Sequence, residues 1–407
     1  MSNLAYQLIK GNSKEELKKI KSNFFHTCIT SPPYLGLRHY QAEDQIGREN
    51  SVFSYVENLL DICTEIKRTL RKDGTFWLNL GDTYCGTGHT NTEVPDPKYP
   101  AREQQQKSIP LNTYNKFTKL EGFKTKDLLG IPWEVAKALQ KPILQCHECD
   151  YIGHWIKWGH LPNNIKWCPI CKKIVSYKKH EDGWYLREDI IWAKKNVLPG
   201  PVKDRPTYSH EFLFLLTKNK NYYFDYYGIM EKALDSNKKL SRIGAKDPIG
   251  TQRRDTGNFY AGNDKKNKRS VWTVSVANFP EAHFATFPEE LIKPCILAGS
   301  STKGCCPKCK SPWKRILERE KIPIEGTKEY KIDLRSLGWE PTCKCNIKEI
   351  EPCTILDPFN GAATTGLCSL KYDRNYVGID VNENYIRMSR KRLDDLGDMN
   401  IEERDIV

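Results

Sequence analysis

No stretch of 18 consecutive apolar residues occurs in this 407-residue chain, so no membrane-spanning helix is expected. The opening residues, MSNLAYQLIKGN, lack the basic, apolar and small-residue order of a secretory leader. A cytoplasmic location is therefore the expectation. In a reducing compartment the fifteen cysteines call for something other than disulfides. The sequence shows no internal repeat. Acidic residues are the scarcer charge, 51 against 64 Lys and Arg, which leaves +13 and favours a polyanionic partner, nucleic acid first. Apolar content of 39% with 28% charged residues reads as globular, and the length points to two or three domains.

The order of elements suggests a parallel α/β sheet. YQLIKGNSKEELKKI reads as a strand and an amphipathic helix, and FFHTCIT as a β-rich run. SVFSYVENLLDICTEIKRTLRKDG has helical apolar spacing that stops at Gly74, and TFWLNLGD follows as a strand. Residues 84–125 are polar and rich in Gly, Pro, Asn and Gln, the composition of a long mobile loop. GIPWEVAKALQK is helical. GWYLREDIIWAKK and HEFLFLLTKNKNYYFD read as two strands, and FPEELIKPCILAGS as a short helix. Between them, residues 228–270 carry 11 Lys and Arg against 5 Asp and Glu, close to half of the chain's excess charge. Such a segment is a solvated loop or one that orders on DNA.

TILDPFNGAATTG places a small-residue turn between an apolar strand and a helix, where backbone can approach a ligand closely. About 20 residues on, YVGID ends a second strand with Asp380, placed to accept hydrogen bonds from ribose hydroxyls. The turn lacks the Lys-Ser/Thr of a phosphate-binding loop, and Asp357 would repel a pyrophosphate. A cationic or neutral ligand fits better, and S-adenosylmethionine combines a sulfonium, an α-amino group and a ribose.

Near the other end, Ser31-Pro32-Pro33-Tyr34 follows an apolar strand. The two prolines fix φ twice and hold the chain extended. An exocyclic base amine is a poor nucleophile because its lone pair is delocalised. Two acceptors on its protons, the Ser31 hydroxyl and the Pro32 carbonyl, would draw it toward tetrahedral geometry. Tyr34 offers a flat face for an extruded base.

Together TSPPYLGLRHY, FPEELIKPCILAGS, LDPFNGAATTG and YVGIDVNENYIRMSRKRL resemble the β-group site-specific DNA amino-methyltransferases, in which the catalytic motif precedes the cofactor motif. The resemblance covers residues 4–85, 125–145, 183–230 and 271–395. It implies a Rossmann-like, seven-stranded, doubly wound sheet with one antiparallel edge strand, and methyl transfer from S-adenosylmethionine to a flipped base. By position it makes Ser31, Pro32, Pro33 and Tyr34 the catalytic set. Asp357, Phe359, Gly361, Thr364, Thr365 and Asp380 form the cofactor set, with Phe287 and Pro288 at the methionine end. Asn12 stands where the family commonly has an aspartate near the adenine. Ala363 replaces a second glycine, so a slightly wider turn is expected. Serine at the first position of the tetrapeptide is similar to the cytosine-N4 enzymes, with adenine-N6 methylation the alternative on the same scaffold. RNA or protein-glutamine methylation, and a zinc-dependent DNA-binding protein with an inactive core, are the remaining alternatives.

Cys146-x2-Cys149 and Cys168-x2-Cys171 have the spacing of a zinc ribbon with no open ligand position, hence a structural metal. Trp155, Trp158, His160 and Lys166 beside them are either DNA contacts or the apolar core of the ribbon. Cys306-x2-Cys309 with Cys343-x-Cys345 form a second zinc candidate, in which Cys305 could replace Cys306. Cys28, Cys63, Cys295, Cys353 and Cys368 sit in apolar contexts as buried thiols.

The expected organisation is a catalytic half at 1–143, a zinc ribbon at 144–177 and core strands at 178–227. A basic target-recognition region at 228–270 follows. The cofactor half spans 271–303 and 347–407, interrupted by the second cysteine insert at 304–346. Double-stranded DNA is the expected substrate and a cognate restriction endonuclease a plausible partner by family analogy.

Overall fold

The computed structural model describes residues 4–36, 45–86, 120, 122–160, 166–197, 202–232, 265–276, 287–323, 330–396 and 401–407. Nine strands form the central sheet: β1 (Leu4–Lys10), β2 (Phe25–Thr30), β3 (Leu70–Leu80), β4 (Tyr185–Lys194), β5 (His210–Thr217), β6 (Val271–Val274), β7 (Thr354–Asp357), β8 (Asn375–Asp380) and β9 (Ile401–Glu403). Their order is β6-β4-β5-β3-β2-β7-β8-β1-β9. Only β5 runs antiparallel to its neighbours, β4 and β3; every other pairing in the sheet is parallel.

The expected seven strands with a reversed edge strand are thus corrected among the described residues. Short β6 pairs outside β4, and short β9 outside β1, so the reversed strand lies third from one edge. At four and three residues, β6 and β9 are too short to stand out from their surroundings in the sequence.

Among the described residues six helices flank the sheet: α1 (Ser13–Lys19), α2 (Val52–Thr69), α3 (Ile131–Gln140), α4 (Glu289–Gly299), α5 (Thr364–Lys371) and α6 (Glu383–Asp394). Residues of α1, α2 and α3 share one apolar cluster with one face of the sheet, and those of α4, α5 and α6 a second cluster with the other. The chain is therefore three layers deep, and β2, buried along its whole length, is a central strand.

Helix α2 shows why these residues are helical. Ser51 caps it by accepting the Ser54 amide, and Tyr55, Val56, Leu59, Leu60, Cys63 and Ile66 repeat on one buried face. It ends at Thr69 rather than running on to Gly74, because Leu70 turns extended and begins β3.

Of the expected mobile loop at 84–125, residues 87–119 and 121 lie outside the described residues. Its feet are tied: the Cys85 amide donates to Asp127 O, and the Lys126 amide to Cys85 O. The first cysteine insert forms two small three-stranded sheets. It leans on α2 through Lys157, paired with Glu57 and Asp61, and through His154, hydrogen-bonded to Thr64. The second insert is a knuckle followed by a long hairpin, Trp313–Pro323 with Tyr330–Pro341. Its knuckle docks at the amino end of β2 and β3, where Lys310 O meets the His26 ring and Cys309 O accepts from Arg71.

Candidate active site

Chain order along the sheet reverses between β2 and β7, which pair in parallel with Ile355 opposite Thr27 and Leu356 opposite Cys28. The Ser-Pro-Pro-Tyr segment leaves the carboxyl end of β2, and the Gly361 turn leaves the carboxyl end of β7 beside it. A switch point of this kind opens a crevice outside the strand ends. A cavity of about 430 Å3 lies there.

Ser31, Pro32, Pro33 and Tyr34 line that cavity, as do Asp357, Phe359, Gly361, Thr364, Asp380, Asn12 and Phe287. Residues from both ends of the chain are therefore brought into one space. Two of the sequence candidates stand back from it. Thr365 is fully buried and spends its hydroxyl on Asp357, at 2.7 Å. Pro288 is buried at the start of α4, where it sets the helix entry.

Asp357 is a structural anchor more than a ligand group. Its carboxylate accepts from the Thr30 hydroxyl at 2.5 Å, the Thr365 hydroxyl and the Phe359 amide. Burial pushes its pKa up to about 6, against the pull of those donors. Asp380 is freer. It accepts the Gly361 and Asn382 amides, both at 2.8 Å, one on each oxygen, and each oxygen keeps a lone pair. Burial raises it to about 6 as well, opposed by the same two amides. Gly361 has φ +50°, a conformation suited to glycine. Ala363 itself adopts the left-handed region, φ 55° and ψ 36°, at a cost of about 1–2 kcal/mol. Asn360 locks the bend by donating to the Ser389 hydroxyl and accepting from Tyr376, each at 2.7 Å.

On the facing wall Tyr55 donates to Pro33 O at 2.9 Å and so holds the proline pair. The Tyr34 hydroxyl donates to Glu211 at 2.7 Å and lies 3.2 Å from Asn79 Oδ1, while Ser31 Oγ donates to it over 3.2 Å. Burial and the neighbouring carboxylate push the Tyr34 phenol well above its ordinary pKa. Gly81 packs against the ring; a Cβ there would come within 2.7 Å of Tyr34 Cε2.

Several cavity residues escaped the sequence reading: Asn79, Gly81, Asp82, Trp192, Lys194 and Glu211. One signal was available, since Asn79 is a lone amide in the apolar run TFWLNL and is 2% exposed. Asp82 accepts the Gly130 and Ile131 amides and so caps α3 from outside that helix.

The two cysteine sets also assemble. Cys146, Cys149, Cys168 and Cys171 bring their sulfurs within 4.8 Å of one another, and so do Cys306, Cys309, Cys343 and Cys345. Cys305 stands in neither set, grouped instead with His26 and Cys353. Trp158 is buried in the apolar core of the first insert, its ring N–H donating to Gly153 O. Lys166 stacks its ammonium 3.5 Å from the Trp155 ring centre. The side chain of His160 lies outside the described residues.

Residues 25–306 and 350–391 match the N6/N4 methyltransferase family of DNA methylases. The chain belongs to that DNA methylase family. The methylase is 34% identical over 386 residues to the Type II methyltransferase M.Cfr9I of Citrobacter freundii, across 95% of this chain and 87% of the relative. It is 31% identical over 387 residues to the Type II methyltransferase M.SmaI of Serratia marcescens, across 95% and 90%. Among solved structures it is similar to the cytosine-N4-specific PvuII DNA methyltransferase, with a TM-score of 0.48 and 13% identity over 100% of this chain and 99% of that one.

Proposed function

We propose that the chain transfers a methyl group from S-adenosylmethionine to the exocyclic N4 amine of a cytosine flipped out of duplex DNA. The observation that carries this reading is the single cavity walled on one side by Ser31–Tyr34 and on the other by the Gly361 turn with Asp380. When bound, S-adenosylmethionine supplies an electrophilic methyl on a positively charged sulfur. The donor set suits it: Asp380 presents free lone pairs for ribose hydroxyls, and the turn brings backbone close without a phosphate-binding lysine. Asn12, Phe287, Phe359 and Thr364 complete that wall. On the other wall Ser31 Oγ and Pro32 O would accept hydrogen bonds from the two amine N–H groups, and the Tyr34 ring would stack on the base. This would aim the nitrogen lone pair at the methyl; overall an N–C bond replaces the S–C bond, the thioether leaves neutral, and the methylated amine gives up one proton to solvent.

The cytosine target rests on Ser31 at the head of the tetrapeptide. Mass spectrometry of nucleosides from DNA of cells expressing the chain tests it, with N4-methylcytosine expected. N6-methyladenine instead would move the activity to the other base on the same scaffold.

Net charge +13 suits a DNA substrate. The basic 228–270 stretch is our first candidate for target recognition, although residues 233–264 lie outside the described residues. The Type II names of the relatives support a cognate restriction endonuclease as partner.

Each four-cysteine set is further assigned one structural zinc ion. Four soft thiolates suit zinc, and a tetrahedron with Zn–S of about 2.3 Å has S–S edges of about 3.8 Å. The Cys149–Cys168 and Cys146–Cys171 sulfurs are 3.6 and 3.9 Å apart. Metal analysis should give two zinc ions per chain, one after Cys149→Ser or Cys309→Ser, and two after Cys305→Ser. A metal-free chain that folds normally would overturn the assignment.

A further inference from the structure

Glu211 lies outside every motif singled out in the sequence, yet it ends a chain of hydroxyls that begins at Ser31. Ser31 Oγ donates to Tyr34 Oη at 3.2 Å, and Tyr34 Oη donates to Glu211 Oε2 at 2.7 Å. The other Glu211 oxygen accepts from Lys194 Nζ at 2.5 Å. Asn79 Oδ1 is the second acceptor near Tyr34, at 3.2 Å, and its orientation is set because Asn79 Nδ2 donates to Phe212 O.

The direction of this chain follows from its far end. A carboxylate and an oriented amide oxygen can only accept. The single Tyr34 proton must therefore point to them, which leaves its oxygen free to receive the Ser31 proton. With that proton spent inside the wall, Ser31 can meet a ligand only through its lone pairs. A freely rotating serine would present either a proton or a lone pair, and a proton would oppose an amine N–H.

We propose that Glu211, held by Lys194, is a positioning residue for methyl transfer: through Tyr34 it commits Ser31 to accepting a hydrogen bond from the target amine. This inference rests on the reading of Ser31 as an amine acceptor. It concerns orientation before chemistry and requires no proton to leave the chain.

Glu211→Gln tests it because the change keeps size and removes the obligatory acceptor. Lys194 would draw the new amide oxygen, turning the amide N–H groups toward Tyr34 and allowing the hydroxyl chain to reverse. The single-turnover methylation rate should fall by about tenfold to a hundredfold, the worth of a hydrogen bond to a charged group. Affinity for S-adenosylmethionine and the melting temperature should stay at their wild-type values. In a Tyr34→Phe background Glu211→Gln should add no further loss. Lys194→Met combined with Glu211→Gln should recover rate, because the amide is then free to turn its oxygen to Tyr34. A wild-type rate for Glu211→Gln would overturn the proposal. So would an undiminished loss in the Tyr34→Phe background together with no recovery in the double variant. Ser31→Ala measured alongside separates the two readings. If it keeps full rate, the amine-acceptor role fails and this proposal with it. If it is inactive while Glu211→Gln is unaffected, only the role of Glu211 fails.

Discussion

The Thr30 hydroxyl donates to the Asp357 carboxylate across 2.5 Å, although the two residues are 327 positions apart in the chain. The bond stitches the last residue of the strand that leads into Ser31–Tyr34 to the last residue of the strand that leads into the Gly361 turn. Both partners are essentially unexposed, so neither can exchange the other for water.

Thr30→Val tests that stitch. It should destabilise the chain by about 1–3 kcal/mol, since a buried carboxylate loses a donor. The sign of the pH dependence follows from the raised Asp357 pKa. A carboxyl pushed up to about 6 in the fold favours the protonated form there, so its ionisation costs stability as pH rises through about 6. The variant should therefore lose more stability at pH 8 than at pH 5, measured by urea unfolding. An equal loss at both would show that Asp357 does not depend on Thr30.

Asp380 predicts an opposite trend for the cofactor. Ribose hydroxyls donate best to the ionised carboxylate, while burial raises that carboxyl to about 6. Affinity for S-adenosylmethionine, measured by titration calorimetry, should weaken toward about tenfold per pH unit below 6. Asp380→Asn should flatten this profile and weaken binding at pH 8 by about tenfold to a hundredfold. A slope that persists in the variant would assign it to another group, Asp357 first.

Ser31→Ala and Tyr34→Ala should each cost at least about a hundredfold in methylation rate, with cofactor affinity spared because neither side chain belongs to the Asp380 wall. Parallel rate and binding assays check this. Loss of both activities together, with a lowered melting temperature, would mean that the tetrapeptide only supports the fold.

Gly81→Ala asks whether the Tyr34 ring must sit where it does. The added methyl would press on Cε2 from 2.7 Å, and the ring can yield only by tilting into the cavity. Methylation should fall while cofactor affinity is kept. An unchanged rate would show that ring placement is not limiting.

How far the sequence revealed this site depended on how local each signal was. The Ser31–Tyr34 and Phe359–Gly361 segments announce themselves because proline fixes φ and glycine alone takes a positive φ without strain, wherever they stand. The helical face of α2 is legible because eight buried apolar residues, Val52 to Ile66, recur at helical spacing along an 18-residue helix. Glu211, Lys194 and Gly81 were not legible, since their roles exist only once β3, β4 and β5 lie side by side. The same holds for Cys305, whose neighbours in sequence are zinc candidates but whose neighbours in space are His26 and Cys353. The two outer strands were missed because they are only four and three residues long.

The most direct measurement is a structure of the chain with a non-reactive S-adenosylmethionine analogue and a duplex carrying the recognition site. The account predicts an everted base in the cavity, its exocyclic amine within about 3.5 Å of Ser31 Oγ and Pro32 O, facing the donor's sulfur-linked group. A target base lodged elsewhere, or an analogue bound away from Asp380, would contradict it.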